Sequence, residues 1–282
     1  MYEAALVLEG GGMRGLYTAG VLDYFLENNI MFKNIYAVSA GACHMTSYMS
    51  RQKGRARRIS LDYLKDKHYA SYYSLIRTGN YFGVDMCYNR IPNELDPIDY
   101  DAFASYEGNG YVVVTNIVTG EPEYVQIKNL REELDYVRAS ASLPLVSKNV
   151  EINGKLYLDG GMADSIPIRK AVEDGNDKIV VVLTRPSDYR KTPASAMWLI
   201  RLLYRRYPGL VKDMEMRHIR YNEALDYIEE LERDKKIFVY RPKFSADVER
   251  IEKDRKKLEV LYKQGYDDSV ECGNELMEFL MR

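Results

Sequence analysis

An α/β domain with a mainly parallel central sheet is what this sequence predicts, and three observations predict it. Short apolar runs, Ala4 to Leu8 first among them, read as strands buried on both faces. That opening run leads through a glycine-rich turn into a helical pattern and then a second strand, which makes a βαβ unit with a right-handed crossover. The chain has 282 residues, 46% of them hydrophobic. A chain of that length buries about three quarters of its unfolded surface and needs no staple.

Each element has its own warrant. Past the turn, Leu22, Phe25 and Leu26 recur at helical spacing and Asn28-Asn29 supply a stop. Ile35 to Val38 reads as the second strand, ending sharply at Ser39-Ala40-Gly41-Ala42. Tyr111 to Thr115 is another buried strand, and Glu123 to Ile127 has mixed faces. A helix over Leu130 to Ala141 is stopped by Leu143-Pro144. Between Val150 and Leu158, Asn153-Gly154 sits among alternating apolar residues, a strong hairpin signal, and the second arm delivers Asp159-Gly160-Gly161. Pro167 to Glu173 carries proline at a helix start, with Gly175 just past its end. Lys178 to Leu183 is a central strand. After Pro193 long charged helices take over, broken by one strand at Ile237 to Tyr240, and Leu258, Leu261 and Tyr262 give the last major helix an apolar stripe. The organisation expected is a core over residues 1–190 and a helix-rich portion over residues 191–282, packed on the same domain.

Composition excludes several classes of function. Lys and Arg number 40 against 42 Asp and Glu, a net charge of −2, where a nucleic-acid binder shows a basic excess. Cys43, Cys87 and Cys272 lie far apart, which argues against a disulfide framework or a structural zinc site and for a reducing compartment. The three histidines, His44, His68 and His218, form no HExxH pair, so no metal site is expected. No basic leader or membrane-length apolar run stands out, so the expectation is a cytoplasmic protein, with contact at a membrane surface left open.

Chemistry concentrates at two turns. Gly10-x-Gly12-x-x-Gly15 follows a strand and opens a helix, where glycines let the backbone turn and free N–H groups attract negative charge. The charge is either the pyrophosphate of a dinucleotide or a transient oxyanion. A dinucleotide site wants an acidic residue at the end of the second strand, and Val38-Ser39-Ala40-Gly41 holds none. Ser39 stands at a strand-to-helix junction among small residues, as a nucleophile elbow requires, although Ala37 replaces the first glycine of G-x-S-x-G. A serine there also suits a plain helix cap. No histidine is well placed to serve it as base: His44 falls on the serine's own helix and should point away.

Three motifs taken together resemble the patatin-like phospholipases: Gly10-Gly11-Gly12-Met13-Arg14-Gly15, Ala37-Val38-Ser39-Ala40-Gly41, and Asp159-Gly160-Gly161. Ala139-Ser140-Ala141-Ser142-Leu143-Pro144 resembles the small-residue stretch that precedes the family's aspartate. The resemblance implies a three-layer sandwich with helices on both faces of the sheet and a Ser-Asp dyad without histidine or cofactor. Ser39 would attack an acyl carbonyl, Asp159 would take its proton, and the N–H groups of Gly11, Gly12 and Met13 would steady the oxyanion with Arg14 nearby. Gly10, Gly15, Gly41, Gly160 and Gly161 would shape the turns. The substrate implied is a phospholipid or other acyl ester. A nucleotide-binding protein, or a lipid-binding module without catalysis, remains the alternative.

The surroundings are less specific. Tyrosine is frequent, 25 residues against 7 Phe and 1 Trp, and Tyr69, Tyr72, Tyr73 and Tyr81 precede Asn89-Arg90-Ile91-Pro92 in a region suited to wall a pocket. Met197 to Arg206 mixes apolar and basic residues, as an interfacial helix or a packing helix with a basic edge would. Arg51 to Arg58 is the densest basic run, suited to anionic headgroups or to a solvated link.

Overall fold

The computed structural model describes residues 1–243 and 248–282. Among them an eight-stranded sheet is formed by β1 (Tyr2–Leu8), β2 (Phe32–Val38), β3 (Asn109–Asn116), β4 (Pro122–Ile127), β5 (Val150–Ile152), β6 (Lys155–Asp159), β7 (Ile179–Val182) and β8 (Ile237–Tyr240). Helices α1 (Leu16–Glu27), α2 (Ala40–Met49), α3 (Arg55–Asp62), α4 (Tyr72–Thr78), α5 (Tyr100–Ala104), α6 (Leu130–Ser140), α7 (Ile168–Glu173), α8 (Met197–Leu203), α9 (Pro208–Arg233), α10 (Arg255–Glu271) and α11 (Gly273–Met281) surround it. Every strand expected from the sequence is present. The helices between residues 40 and 104 carried weaker signals, because short polar-rich helices lack a long apolar stripe. One of them, Met86–Leu95, is π-helical and contains Pro92.

Strands β3, β2, β1, β7 and β8 run parallel in that spatial order. Their alternation serves two cores: Leu6, Leu8, Val180 and Val182 face one, and Ala5, Val7, Ile179 and Val181 face the other. Both faces are covered, by α1, α2 and α10 on the first and by α7 and α9 on the second, so the fold is the expected mainly parallel sheet between helical layers. Each fully buried branched side chain contributes about 1.5–3 kcal/mol. The C-terminal residues extend this sheet through β8, and α10 packs along α1.

The antiparallel edge decides where the site can form. Strand β4 occupies one side of β3, from Gly110 to Thr115. On the other side β2 ends with Val38 opposite Val113, and β6 arrives from the opposite direction with Asp159 opposite Val114. Two strands therefore meet head-on along one side of β3. The β5–β6 hairpin turns at Asn153 and Gly154, both with positive φ, as a two-residue type I′ loop needs.

Candidate active site

Because β1 and β2 are parallel neighbours, the turn after Leu8 and the turn after Val38 leave the same end of the sheet. Ser39 has φ 54° and ψ −120°, a conformation costing a non-glycine residue about 1–3 kcal/mol. The strained turn forms with Ala37 in place of the usual first glycine. Gly41 is required because a Cβ there would lie 2.8 Å from the Leu8 carbonyl oxygen, so any side chain would push α2 off the end of β1.

The head-on strands place Asp159 beside Ser39. The Ser39 hydroxyl donates to Asp159 Oδ2 at 2.7 Å, and both residues are almost wholly buried. The other carboxylate oxygen, Oδ1, accepts the Gly161 N–H at 2.7 Å, so Asp159 also caps the short turn Gly160–Met162. The small-residue stretch ahead of Pro144 holds both partners: Ser140 Oγ accepts the Ser39 N–H at 2.8 Å, and the Ser142 carbonyl accepts the Asp159 N–H at 2.8 Å. Burial pushes the Asp159 carboxyl above the ordinary range, while the Ser39 hydroxyl, the Arg217 charge and the Gly161 N–H oppose that rise.

The glycine turn lies against this pair. Gly12 has φ +59° and sits directly beneath the Arg250 backbone. Among the described residues no hydrogen bond takes the N–H of Gly11 or Gly12, whereas Met13 donates its N–H to the Arg250 carbonyl at 3.0 Å. Of the three candidate oxyanion donors, Met13 is thus already engaged. Arg14 is buried, and among the described residues its Nε has no hydrogen-bond partner. At the mouth of β1, Glu9 accepts from Thr184 and, at 2.7 Å, from the Tyr221 hydroxyl, tying the turn to β7 and α9.

Ser39 stands where two cavities meet. On one side an apolar cavity of about 150 Å³ runs between α2, α3, the π-helical turn and α6, lined by Cys43, Ile59, Tyr69, Phe82, Ile91 and Val137 among others. On the other a small polar pocket reaches Asp159 past Glu9, Gly10 and Gly11. Tyr69 and the Ile91-Pro92 segment wall the apolar cavity as expected, while Tyr72 and Tyr73 are exposed. His44 also lines that cavity, lowered to a pKa of about 4 by burial, and makes no hydrogen bond to Ser39 or Asp159. The basic run is largely paired within the chain, Lys53 to Glu27, Arg57 to Glu259, and Arg55 and Arg58 to Asp96, although only Arg55 is buried. Those four charges hold helices together. Sequence reasoning assigned no role to Ser140 and Ser142, although their stretch stood out, and it missed Arg217 and Arg250, which carry no local signal.

Fold and site together define an α/β protein that presents a hydroxyl at a strained strand-to-helix turn, bonded to a carboxylate and flanked by a glycine-rich loop. The chain belongs to the patatin-like phospholipase family, whose model matches residues 6–172. A second model, Domain of unknown function (DUF6363), matches residues 207–281. The chain is 30% identical over 251 residues to Uncharacterized protein YjjU of Escherichia coli strain K12, covering 85% of this chain and 68% of that protein. It is 26% identical to Lysophospholipase NTE1 of Candida glabrata across 93% of this chain but only 15% of that much longer protein. With Probable lipid hydrolase 463L of Invertebrate iridescent virus 6 it shares 24% identity, over 67% of this chain and 73% of that one. Among solved structures, VipD from Legionella pneumophila aligns with 98% of this chain and 66% of its own, at TM-score 0.45 and 14% identity. Among the described residues no helix is long and apolar enough to cross a membrane.

Proposed function

We propose that this chain is a serine acyl hydrolase that cleaves lipid ester bonds through Ser39 and Asp159. The observation that carries the reading is the 2.7 Å hydrogen bond from Ser39 Oγ to Asp159 Oδ2 at the junction of an apolar cavity and a glycine turn. Ser39 Oγ attacks the acyl carbonyl as its proton passes to Asp159. The oxyanion is met by the N–H groups of Gly11 and Gly12, and Met13 joins them only if its bond to Arg250 opens. Collapse expels the alcohol, which takes the proton from Asp159 and leaves an acyl-enzyme. Water then gives Asp159 a proton and attacks the ester; collapse releases the fatty acid, and Asp159 returns the proton to Ser39 Oγ. An ordinary aspartate is a weak base, with a pKa of about 3.9; the burial of Asp159 lifts its basicity toward what the transfer needs.

Family membership and the names of two relatives, a lysophospholipase and a probable lipid hydrolase, support a lipid substrate. A membrane surface is favoured by α8 and its flank, where Trp198, Leu202 and Leu203 are all more than half exposed beside Arg201. The test is a fluorophosphonate probe with mass spectrometry of a lipid mixture. Covalent label at Ser39 and fatty-acid release, both lost in Ser39→Ala, are expected. An unlabelled protein without turnover would reject the hydrolase.

A further inference from the structure

The polar pocket beside the dyad holds a concentration of charge that the hydrolytic mechanism does not use. Arg14, Arg185, Lys191, Arg217 and Arg250 line it, against two carboxylates, Glu9 and Asp159. Both carboxylates are already satisfied, Glu9 by Thr184 and Tyr221 and Asp159 by Ser39 and Gly161. Among the described residues none of the five cations makes a salt bridge, although the structure pairs many of its surface charges. Arg14 is more than nine-tenths buried, and among the described residues its Nε has no hydrogen-bond partner. Five cations gathered in one partly buried place repel one another, and among the described residues the two carboxylates of the pocket, Glu9 and Asp159, offset them only in part.

Their positions are built. Tyr221, anchored by its hydroxyl to Glu9, carries Lys191 Nζ 4.1 Å above its ring, and Tyr189, packed edge-on against Tyr221, carries the Arg185 guanidinium at 4.4 Å. Arg217 donates through Nε to the Gly161 carbonyl. Burial, together with the neighbouring cations, lowers Arg14 and Arg217 to about 10 and Lys191 to about 7, and the nearby Glu9 and Asp159 carboxylates offset only part of that fall. Arg185, Lys191, Arg217 and Arg250 all lie beyond the matched residues 6–172, and the last two fall within the 207–281 segment of unknown function.

Resting on the acyl-hydrolase reading, we propose that this pocket seats the phosphate of the substrate, making the preferred substrates acyl esters with a small, terminal phosphomonoester head. The shared wall at Ser39 sets the geometry: the acyl chain enters the apolar cavity while a short glycerol backbone carries the phosphate to the cations. A doubly charged phosphate matches the cation excess, and guanidinium groups suit its oxygens. The pocket's own volume is about 20 Å³, little more than a water, so seating the phosphate requires the side chains of Arg185, Lys191 and Arg250 to draw back. A choline beyond the phosphate would bring its own positive charge against the same cations. The C-terminal segment thereby acquires a role, which is to supply headgroup specificity to the core.

The test compares decanoyl lysophosphatidate, decanoyl lysophosphatidylcholine and monodecanoylglycerol as soluble substrates of the full chain. The expected kcat/KM for the lysophosphatidate exceeds the other two by at least about tenfold, the worth of one charge-assisted hydrogen bond. In the Arg185→Gln, Lys191→Gln double variant that ratio falls toward one. It is kept in Arg190→Gln, which removes an exposed charge paired to Glu229. Thermal melts establish that the variants fold. Equal rates for the three esters, or a ratio unmoved in the double variant, would overturn the proposal. Should no ester be cleaved, the hydrolase fails separately, and calorimetry with inorganic phosphate decides the pocket: binding lost in the double variant supports an anion seat, and no binding refutes it. Phosphate binding with equal rates for all three esters overturns the headgroup assignment in favour of a free anion.

Discussion

The apolar cavity and the polar pocket share Ser39 yet are built from different stretches of chain by different rules. Apart from Arg250, the apolar wall comes from residues 12–143, where consecutive helices α2 and α3 and the π-helical turn fold over the C-terminal end of β2. The polar wall is assembled from the ends of β1 and β7 and from side chains as late as Arg250. Apolar packing is non-directional, so many sequences could line the first wall. The second needs particular charged groups at particular positions, and it draws them from distant elements. On the proposed reading, binding of a chain and selection of a head would thus be separable tasks, open to separate perturbation.

Four perturbations sharpen or break that separation. The largest effect is expected from Asp159→Asn, which removes the proton acceptor common to both sides; turnover of every ester should drop by about 10²–10⁴. Kinetics on a short soluble ester check this, and near-parent activity would end the dyad assignment. Next is Gly12→Ala, which puts a Cβ against the Arg250 carbonyl at φ +59°. It should lower kcat by about 10–10²-fold on neutral and anionic esters alike, because an oxyanion donor is displaced. A loss confined to KM would assign the turn to binding instead.

Filling the apolar wall should act on chain length alone. Ile59→Trp is expected to lower the decanoyl-to-butyryl ratio of kcat/KM by about tenfold, at an overpacking cost of about 1–3 kcal/mol in stability. An unchanged ratio would place the acyl chain elsewhere. The smallest effect is a few-fold loss on vesicles, expected when exposed Trp198 and Leu202 are both replaced by serine, with soluble esters unaffected. Liposome co-sedimentation reads it directly. The pH profile adds a check on sign. Asp159 accepts a proton only when ionised, so kcat/KM falls as pH drops through its pKa, and burial puts that limb above the usual carboxylate range of about 4.

The strands and the two turns were legible because their signals are local. Apolar runs between turn residues mark buried strands, and Asn153-Gly154 alone specifies the tight hairpin that aims β6. The glycine turn had two meanings in isolation; a family match that spans it and the two motifs that follow puts the chain among the patatin-like phospholipases. The salt bridges of Arg55, Arg57 and Arg58 could not be read from their run, because a run of like charge looks the same whether its partners are water or Asp96 and Glu259. The exposure of Trp198 was equally hidden, since an apolar residue on a short helix is as readily packed as presented.

What sequence alone determined is therefore the parts: a parallel α/β sheet, a strained serine turn, a glycine loop and an aspartate at a hairpin's end. Only the tertiary structure decided that β2 and β6 meet head-on along β3, bringing Ser39 and Asp159 within hydrogen-bonding reach, and that Met13 is engaged by Arg250. The physical reason is range. Backbone preference and burial periodicity act over a few residues, whereas strand pairing and the gathering of Arg185, Lys191, Arg217 and Arg250 depend on packing between elements far apart in the chain.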